Sequence, residues 1–222
     1  QLMEICGTHT MAIARAGLKS LLPENIRLIS GPGCPVCVTP AGAVDELLRI
    51  SSIPGVIMAS YGDLLRVPGS RRGDSLLRRR AQGADVRMVY SPIDALEMAG
   101  KHPDRQVVFA GVGFETTAPG TAACLMEARE RRMSNFSVLS LLKTTEPAVR
   151  ALVDAPQMRE CRIDGFLCPG HVAVITGADS FAFLPEEYGL PAVVSGFEPE
   201  DLVVSVYLLV KMLAEGRPAL VN

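Results

Sequence analysis

The sequence predicts an α/β protein made of two doubly wound, Rossmann-like domains with mainly parallel sheets. Apolar runs of strand length alternate with longer segments of helical period. The turns that end those strands carry glycine together with cysteine, histidine, glutamate or threonine, as strand ends do when they line a cleft in a doubly wound fold. At 222 residues and 48% hydrophobic content, the chain has enough apolar material for two cores.

In chain order, the first strands are expected at residues 2–5, 26–29, 55–59 and 86–90. Helices are expected between them at 10–16, 40–50 and 74–82, the first closed by Gly17 and the third by Gly83, both placed as C-cap glycines. Thr39-Pro40 reads as the N-cap and first residue of the second helix. A second set of strands, at 106–110, 136–141, 165–167 and 192–194, is separated by helices near 117–132 and 146–152. A last helix spans 200–214. Four strands plus four place the domain break near 91–105, where Ser91-Pro92, a short helix and His102-Pro103-Asp104 form a connection. The expected domains are therefore 1–103 and 104–222.

Charge excludes several function classes. With 22 Lys and Arg against 24 Asp and Glu, the formal net charge is -2, so no electrostatic case exists for nucleic acid or an anionic membrane as partner. Arg71-Arg72 and Arg78-Arg79-Arg80 read as solvated surface, because a chain with no Trp and four Tyr offers few aromatic faces for bases. The longest apolar stretch, 202–213, is broken by Ser205 and Lys211 and is too short to span a bilayer. The six cysteines are not spaced as a secreted disulfide framework. A soluble protein of the reducing cytoplasm is expected. The first residue is Gln1, inside what already reads as a strand, so a natural start upstream is expected as well.

Chemistry concentrates at strand ends. Gly31-Pro32-Gly33-Cys34-Pro35-Val36-Cys37 places two thiols in a turn between a strand and a helix, a spacing that suits a reversible disulfide or half of a metal site. Cys6-Gly7-Thr8-His9-Thr10 sits at an earlier strand-to-helix junction. A thiol there can be held as thiolate by backbone N–H groups and the helix dipole, and His9 can polarise it or share a metal. Cys6 and His9 could also complete a zinc site with Cys34 and Cys37, although no second paired-ligand motif supports that reading.

Gly111-Val112-Gly113-Phe114-Glu115-Thr116-Thr117 has Thr116 where a dinucleotide loop needs its third glycine, so no dinucleotide-binding residues are assigned. What remains is a carboxylate and two hydroxyls suited to gripping a small polar group or relaying a proton. Cys168-Pro169-Gly170-His171 and Ser195-Gly196-Phe197-Glu198-Pro199 close two further strands in the same way, and the five strand ends together are expected to line one cleft. Cys124, mid-helix, and Cys161, in a polar connection, read as structural or incidental.

These segments resemble the HypD family of nickel-iron hydrogenase maturation factors. The resemblance rests on Met3-Glu4-Ile5-Cys6-Gly7-Thr8-His9-Thr10, on the Gly31 to Cys37 turn, on Gly113-Phe114-Glu115-Thr116-Thr117-Ala118-Pro119, on Pro169-Gly170-His171-Val172 and on Gly196-Phe197-Glu198-Pro199, in family order up to about Asp201. It implies a metallocentre-assembly scaffold with redox-active thiols rather than a conventional enzyme. On that scaffold, with the small partner HypC, an iron bearing two cyanides and one carbon monoxide is built, the cyanide arriving from HypE. Carried over by position, Cys6 is the iron ligand shared with a HypC cysteine and His9 stands beside it. Cys34 and Cys37 are the redox pair, and Glu115, Thr116, Thr117 and His171 line the cleft. The family's C-terminal domain holds a 4Fe-4S cluster on four cysteines, a set this sequence does not contain, so the cluster is not carried over. The alternative from a different class is a self-contained thiol-disulfide oxidoreductase using Cys34 and Cys37.

Overall fold

A computed structural model describes residues 1–156 and 161–222. The chain folds as two units, Gln1–Cys34 with Thr144–Asn222, and Pro35–Lys143. The first unit opens with β1 (Leu2–Glu4), α1 (Gly7–Arg15), α2 (Leu18–Leu21) and β2 (Leu28–Ser30). The second is built from α3 (Ala41–Ser51), β3 (Val56–Ser60), α4 (Leu76–Ala81), β4 (Val86–Met88), α5 (Pro92–Lys101), β5 (Gln106–Gly113), α6 (Ala118–Glu130) and β6 (Phe136–Leu142). The chain then returns to the first unit through α7 (Thr145–Asp154), β7 (Gly165–Pro169), α8 (Gly170–Thr176), α9 (Phe183–Tyr188), β8 (Ala192–Ser195), α10 (Pro199–Glu215) and β9 (Leu220–Val221). No helix among the described residues is long and apolar enough to cross a membrane.

The sheets are ordered β2-β1-β7-β8-β9 and β4-β3-β5-β6, and every pairing among the described residues is parallel. The expected fold class is therefore observed, and the eight expected strands all form. The expected division at residue 103 is corrected. β1 pairs not with β3 or β4 but with β2 on one side, in register Leu2 with Leu28, and with the sequence-distant β7 on the other, in register Leu2 with Gly165. Periodicity marks a strand but does not choose its neighbour, because the backbone ladder is the same for every parallel strand; side-chain packing makes the choice. The segment 91–105, expected to link two domains, lies inside the second unit as α5. Its N-terminus is a full capping box, with Ser91 and Asp94 exchanging bonds with each other's backbone.

Each sheet buries both faces, as parallel sheets do. In β1, Leu2 packs with α1 and α10 residues such as Ile13, Leu202 and Leu209, whereas Met3 points the other way, toward Val149, Val172 and Leu184. Helix stripes match these faces. α10 buries Leu202, Ser205, Val206, Leu209 and Met212, and α3 buries Val44, Leu47, Leu48 and Ser51, both at helical spacing. Gly17 and Gly83 sit past their helices at φ 61 and φ 100, the left-handed conformation expected of them. α1 begins at Gly7, three residues before the expected start, which makes Cys6 its N-cap and puts His9 in its first turn.

Candidate functional site

The topology singles out one point on each sheet. In the first, the connections leaving β1 and β7 run in opposite directions, one toward β2 and the other toward β8 and β9. In the second, those leaving β3 and β5 diverge in the same manner. A crevice opens at the carboxyl ends of such a strand pair. Cys6 follows β1 and His171 follows β7, so both stand at the first sheet's divergence. The Glu115 turn follows β5 at the second. The five motif-bearing strand ends are thus divided, four on the first sheet and one on the second, rather than ranged along a single sheet edge.

At the first edge Glu4, Cys6 and His9 are buried, while Thr10 and His171 are half-buried. Glu4, 1% exposed at the end of β1, accepts the Cys6 backbone N–H at 3.0 Å through Oε2 and the Thr10 hydroxyl through Oε1. Its carboxylate therefore ties the strand end to the first turn of α1. Cys6 is itself buried, in extended conformation at φ -148 and ψ 124. The Gly31 to Gly33 turn lies flat against it: Gly31 N–H donates to the Glu4 carbonyl at 2.7 Å, and Gly7 N–H donates to the Gly33 carbonyl at 3.1 Å. A β-carbon on Gly33 would come to 2.5 Å from the Cys6 backbone nitrogen, so the glycine is required by contact and not by a left-handed backbone.

His9 is fully buried, and its Nε2 lies 3.0 Å from the Gly196 carbonyl. A carbonyl only accepts, so Nε2 carries the proton, and Nδ1 presents an unshared pair. That Nδ1 is buried and has no hydrogen-bond partner among the described residues. Burial pushes the imidazole below its ordinary pKa, against the two strand-end carbonyls and the Glu4 charge that favour the protonated form. A buried, neutral imidazole with a bare nitrogen is suited to accept a proton or bind a metal.

The Gly196 carbonyl is fixed from behind, since Ser205 donates to Ser195 at 2.8 Å and Ser195 donates to that carbonyl at 3.1 Å. The Phe197 ring sits 4.8 Å from the His9 ring and 5.1 Å from the His171 ring, which stacks on it at 27°. His171 and Phe197 border an open cavity of about 590 Å³. A second cavity, about 420 Å³, lies between Phe197 and the outer side of α1 near Met11 and Arg15.

Among the sulfurs, Cys34 is half-buried and Cys37 exposed, the exposure expected of a reactive pair, and the pair spans the passage from the first unit to the second. Val36 packs into the core of the second unit beside Cys37. Thr39 is not the N-cap that its position before Pro40 suggested. That place belongs to Pro40, while the Thr39 hydroxyl turns back and donates to the Pro35 carbonyl at 2.7 Å. Burial drives the Cys168 thiol far above its ordinary pKa, and Cys124 donates its S–H to the Pro92 carbonyl, so neither serves as a nucleophile. Cys161 is exposed.

At the second edge, Glu115 and Thr117 are half-buried and Thr116 is exposed. A β-carbon on Gly113 would meet the Thr117 side chain at 2.3 Å, so this turn too is closed by contact. No group of three or more His, Cys, Asp or Glu among the described residues is placed to hold a metal ion, and the four-ligand zinc arrangement of Cys6, His9, Cys34 and Cys37 is not assembled.

The sequence motifs contained Glu4, Ser195 and Phe197 but gave them no individual role, and Ser205 and Lys143 were not among the expected site residues. Glu4 had a signal, a carboxylate in an apolar strand two residues before a cysteine; Ser205 had one only for its position, as a polar break in the apolar stretch 202–213, and none for its partner Ser195.

Comparison with known proteins matches the whole chain, residues 1–222, to the family model described as "HypD: Hydrogenase formation hypA family". The chain is 49% identical over 221 residues to the hydrogenase maturation factor HypD of Rhodobacter capsulatus, covering 100% of this chain and 57% of that protein. It is 49% identical over 224 residues to HypD of Azotobacter vinelandii, covering 100% and 59%. Against HypD of Escherichia coli strain K12 it is 48% identical over 211 residues, covering 95% and 55%. The chain thus spans somewhat more than half the length of these relatives.

Proposed function

The chain belongs to the HypD family of hydrogenase maturation factors, and on that premise we propose that it is the part of a maturation scaffold that holds the iron during assembly. In this reading the iron is cargo, delivered onto Cys6 and a cysteine of a small partner, HypC, and dressed with two cyanides from HypE and one carbon monoxide. The observation that carries the reading is Cys6, buried at the N-cap of α1 on the first sheet's divergence, beside a His9 whose Nδ1 is buried and unpartnered.

Each neighbour has a physical task in that proposal. The amino-terminal end of α1 directs its partial positive charge at the sulfur, where an iron-bound thiolate carries negative charge. Glu4 fixes the Cys6 backbone, so the sulfur is presented without rearrangement. His9, held neutral by burial, offers Nδ1 to the metal or to a proton released as the thiol binds it. Phe197 and His171 stack on each other and wall the same edge. Cys34 and Cys37 supply electrons when their thiols join as a disulfide, releasing two electrons and two protons to the assembly. Glu115, Thr116 and Thr117 grip a polar group at the second edge. The family assignment gives no support to a self-contained thiol-disulfide oxidoreductase.

The test is infrared spectroscopy of the chain in complex with HypC after loading by HypE and a cyanide source. Cys6→Ala is expected to abolish the iron-cyanide and iron-carbonyl bands. Bands of wild-type intensity on the variant complex would refute the role given to Cys6.

A further inference from the structure

The turn around Cys37 is shaped by side chains from distant parts of the second unit. Thr39 N–H donates to the Val36 carbonyl at 3.1 Å, which closes the turn on itself. The Thr39 hydroxyl has one proton, committed to the Pro35 carbonyl at 2.7 Å, so its oxygen faces outward as an acceptor. Lys143, the residue after β6, takes that position: its Nζ donates to Thr39 Oγ1 at 3.2 Å and to the Leu141 carbonyl at 3.1 Å. The two bonds run in one direction, from ammonium to hydroxyl to the carbonyl of the residue following Cys34. Burial lowers the Lys143 pKa from its ordinary value, so this cation is held at a desolvation cost that a lysine free in solvent escapes. Lys143 is 104 residues from Thr39, so the link is a tertiary one.

We propose that Lys143, acting through Thr39, is the positioning residue of the Cys34 and Cys37 dithiol, fixing the turn around Cys37 and keeping a positive charge beside it. The inference rests on the dithiol being the reactive pair of the proposed function, and it deepens that reading. A cation near a cysteine favours the thiolate, the form that attacks disulfides and electrophiles. A turn already closed by Thr39 presents that sulfur without the entropy of ordering a loop.

The experiment measures alkylation of the fully reduced chain at pH 7 with an isotope-coded reagent, resolved by peptide mass spectrometry. The exposed Cys161 serves as internal reference. Lys143→Gln is expected to slow Cys37 relative to Cys161 roughly fivefold, an electrostatic effect of a size common for cysteines beside a cation. Lys143→Arg restores most of the rate by restoring the charge, and Thr39→Val, which breaks the relay while leaving the lysine, slows it by a smaller factor. Circular dichroism establishes that each variant is folded. Wild-type rates in Lys143→Gln and Thr39→Val overturn the proposal, as does a Lys143→Arg variant as slow as Lys143→Gln. A separate arm equilibrates the wild-type chain with oxidised glutathione. If no Cys34 to Cys37 disulfide forms there, the redox reading of the pair fails, and the alkylation rates still decide the role of Lys143.

Discussion

The two sheet edges follow one plan and differ in what fills it. Both sheets change direction between two neighbouring parallel strands, and both place a glycine-closed turn at that point. At the first edge, Glu4 and His9 are at most 1% exposed and Cys6 is buried with them. At the second, Glu115 and Thr117 are half-buried and Thr116 is exposed. Topology says where a site lies; burial says what kind it is. Buried polar groups persist only when satisfied, so the first edge is a network with little freedom, and His9 Nδ1, a buried side-chain atom there without a partner among the described residues, stands out. An exposed edge has solvent to satisfy it and tolerates rearrangement, which suits turns that must meet changing partners.

The contrast can be broken most forcefully at Gly33. Gly33→Ala should cost about 3 kcal/mol or more, because the new methyl meets Cys6 backbone on an edge that cannot yield. In the second unit, Gly42 on α3 has nothing within 4 Å of a built β-carbon, and Gly42→Ala should raise stability by roughly 0.5–1 kcal/mol through helix propensity. Thermal or urea unfolding of the two variants measures both; a Gly33→Ala variant as stable as wild type would show that the contact with the Cys6 backbone does not constrain the first edge.

Glu4 gives the next largest effect. Glu4→Leu leaves the Cys6 N–H without its acceptor and the Thr10 hydroxyl with only the long 3.4 Å bond to the Cys6 carbonyl, and should cost about 2–3 kcal/mol. Glu4→Gln should cost only about 1 kcal/mol, since its remaining oxygen keeps the Cys6 N–H and Thr10 can rotate its hydroxyl to accept. Denaturant titration separates the two, and a Leu variant as stable as the Gln variant would show that the carboxylate does not order this junction.

The smallest effect belongs to the second unit's own charge cluster, away from its carboxyl edge. Asp85 accepts from Arg87 and Arg105, and the hydrogen bonds from Arg87, followed by those from Arg105, hold its pKa down to about 2. A carboxylate with a lowered pKa contributes stability that is present above its ordinary value near 4 and lost as pH falls toward 2. Because Asp85 and its arginines are partly exposed, that contribution is about 1 kcal/mol or less. Unfolding measured from pH 6 to pH 2 should show a smaller acid loss in Asp85→Asn than in wild type, with the two curves converging at the acid end.

How much of this could be read in the chain depends on the range of the interaction. The helical stripe of α10, the C-cap roles of Gly17 and Gly83, and the strand-end motifs were all legible, because each is decided within a few residues. Thr39 was misread because the N-cap rule is local, while its partners are the Pro35 carbonyl and a lysine from the end of β6. The segment 91–105 was misread for the same reason: its turn residues are those of a linker, and only packing against β5 makes it the interior helix α5. Cys6 and His9 were named from the sequence. That His9 is fully buried, protonated at Nε2 and bare at Nδ1 depends on Gly196, 187 residues away.

By itself, then, the sequence determined the α/β class, the eight expected strands, the glycine-closed turns and the residues worth suspecting, since backbone propensity, periodicity and turn chemistry act over short spans. Only the tertiary structure decided that the first two strands belong with the last three, that the motifs divide between two sheet edges, and that Glu4, Ser205 and Lys143 support the cysteines. The physical reason is that parallel strands offer identical hydrogen-bonding ladders and that burial belongs to the assembled chain. Pairing and desolvation are settled by side chains meeting across a hundred residues or more, where no local pattern reaches.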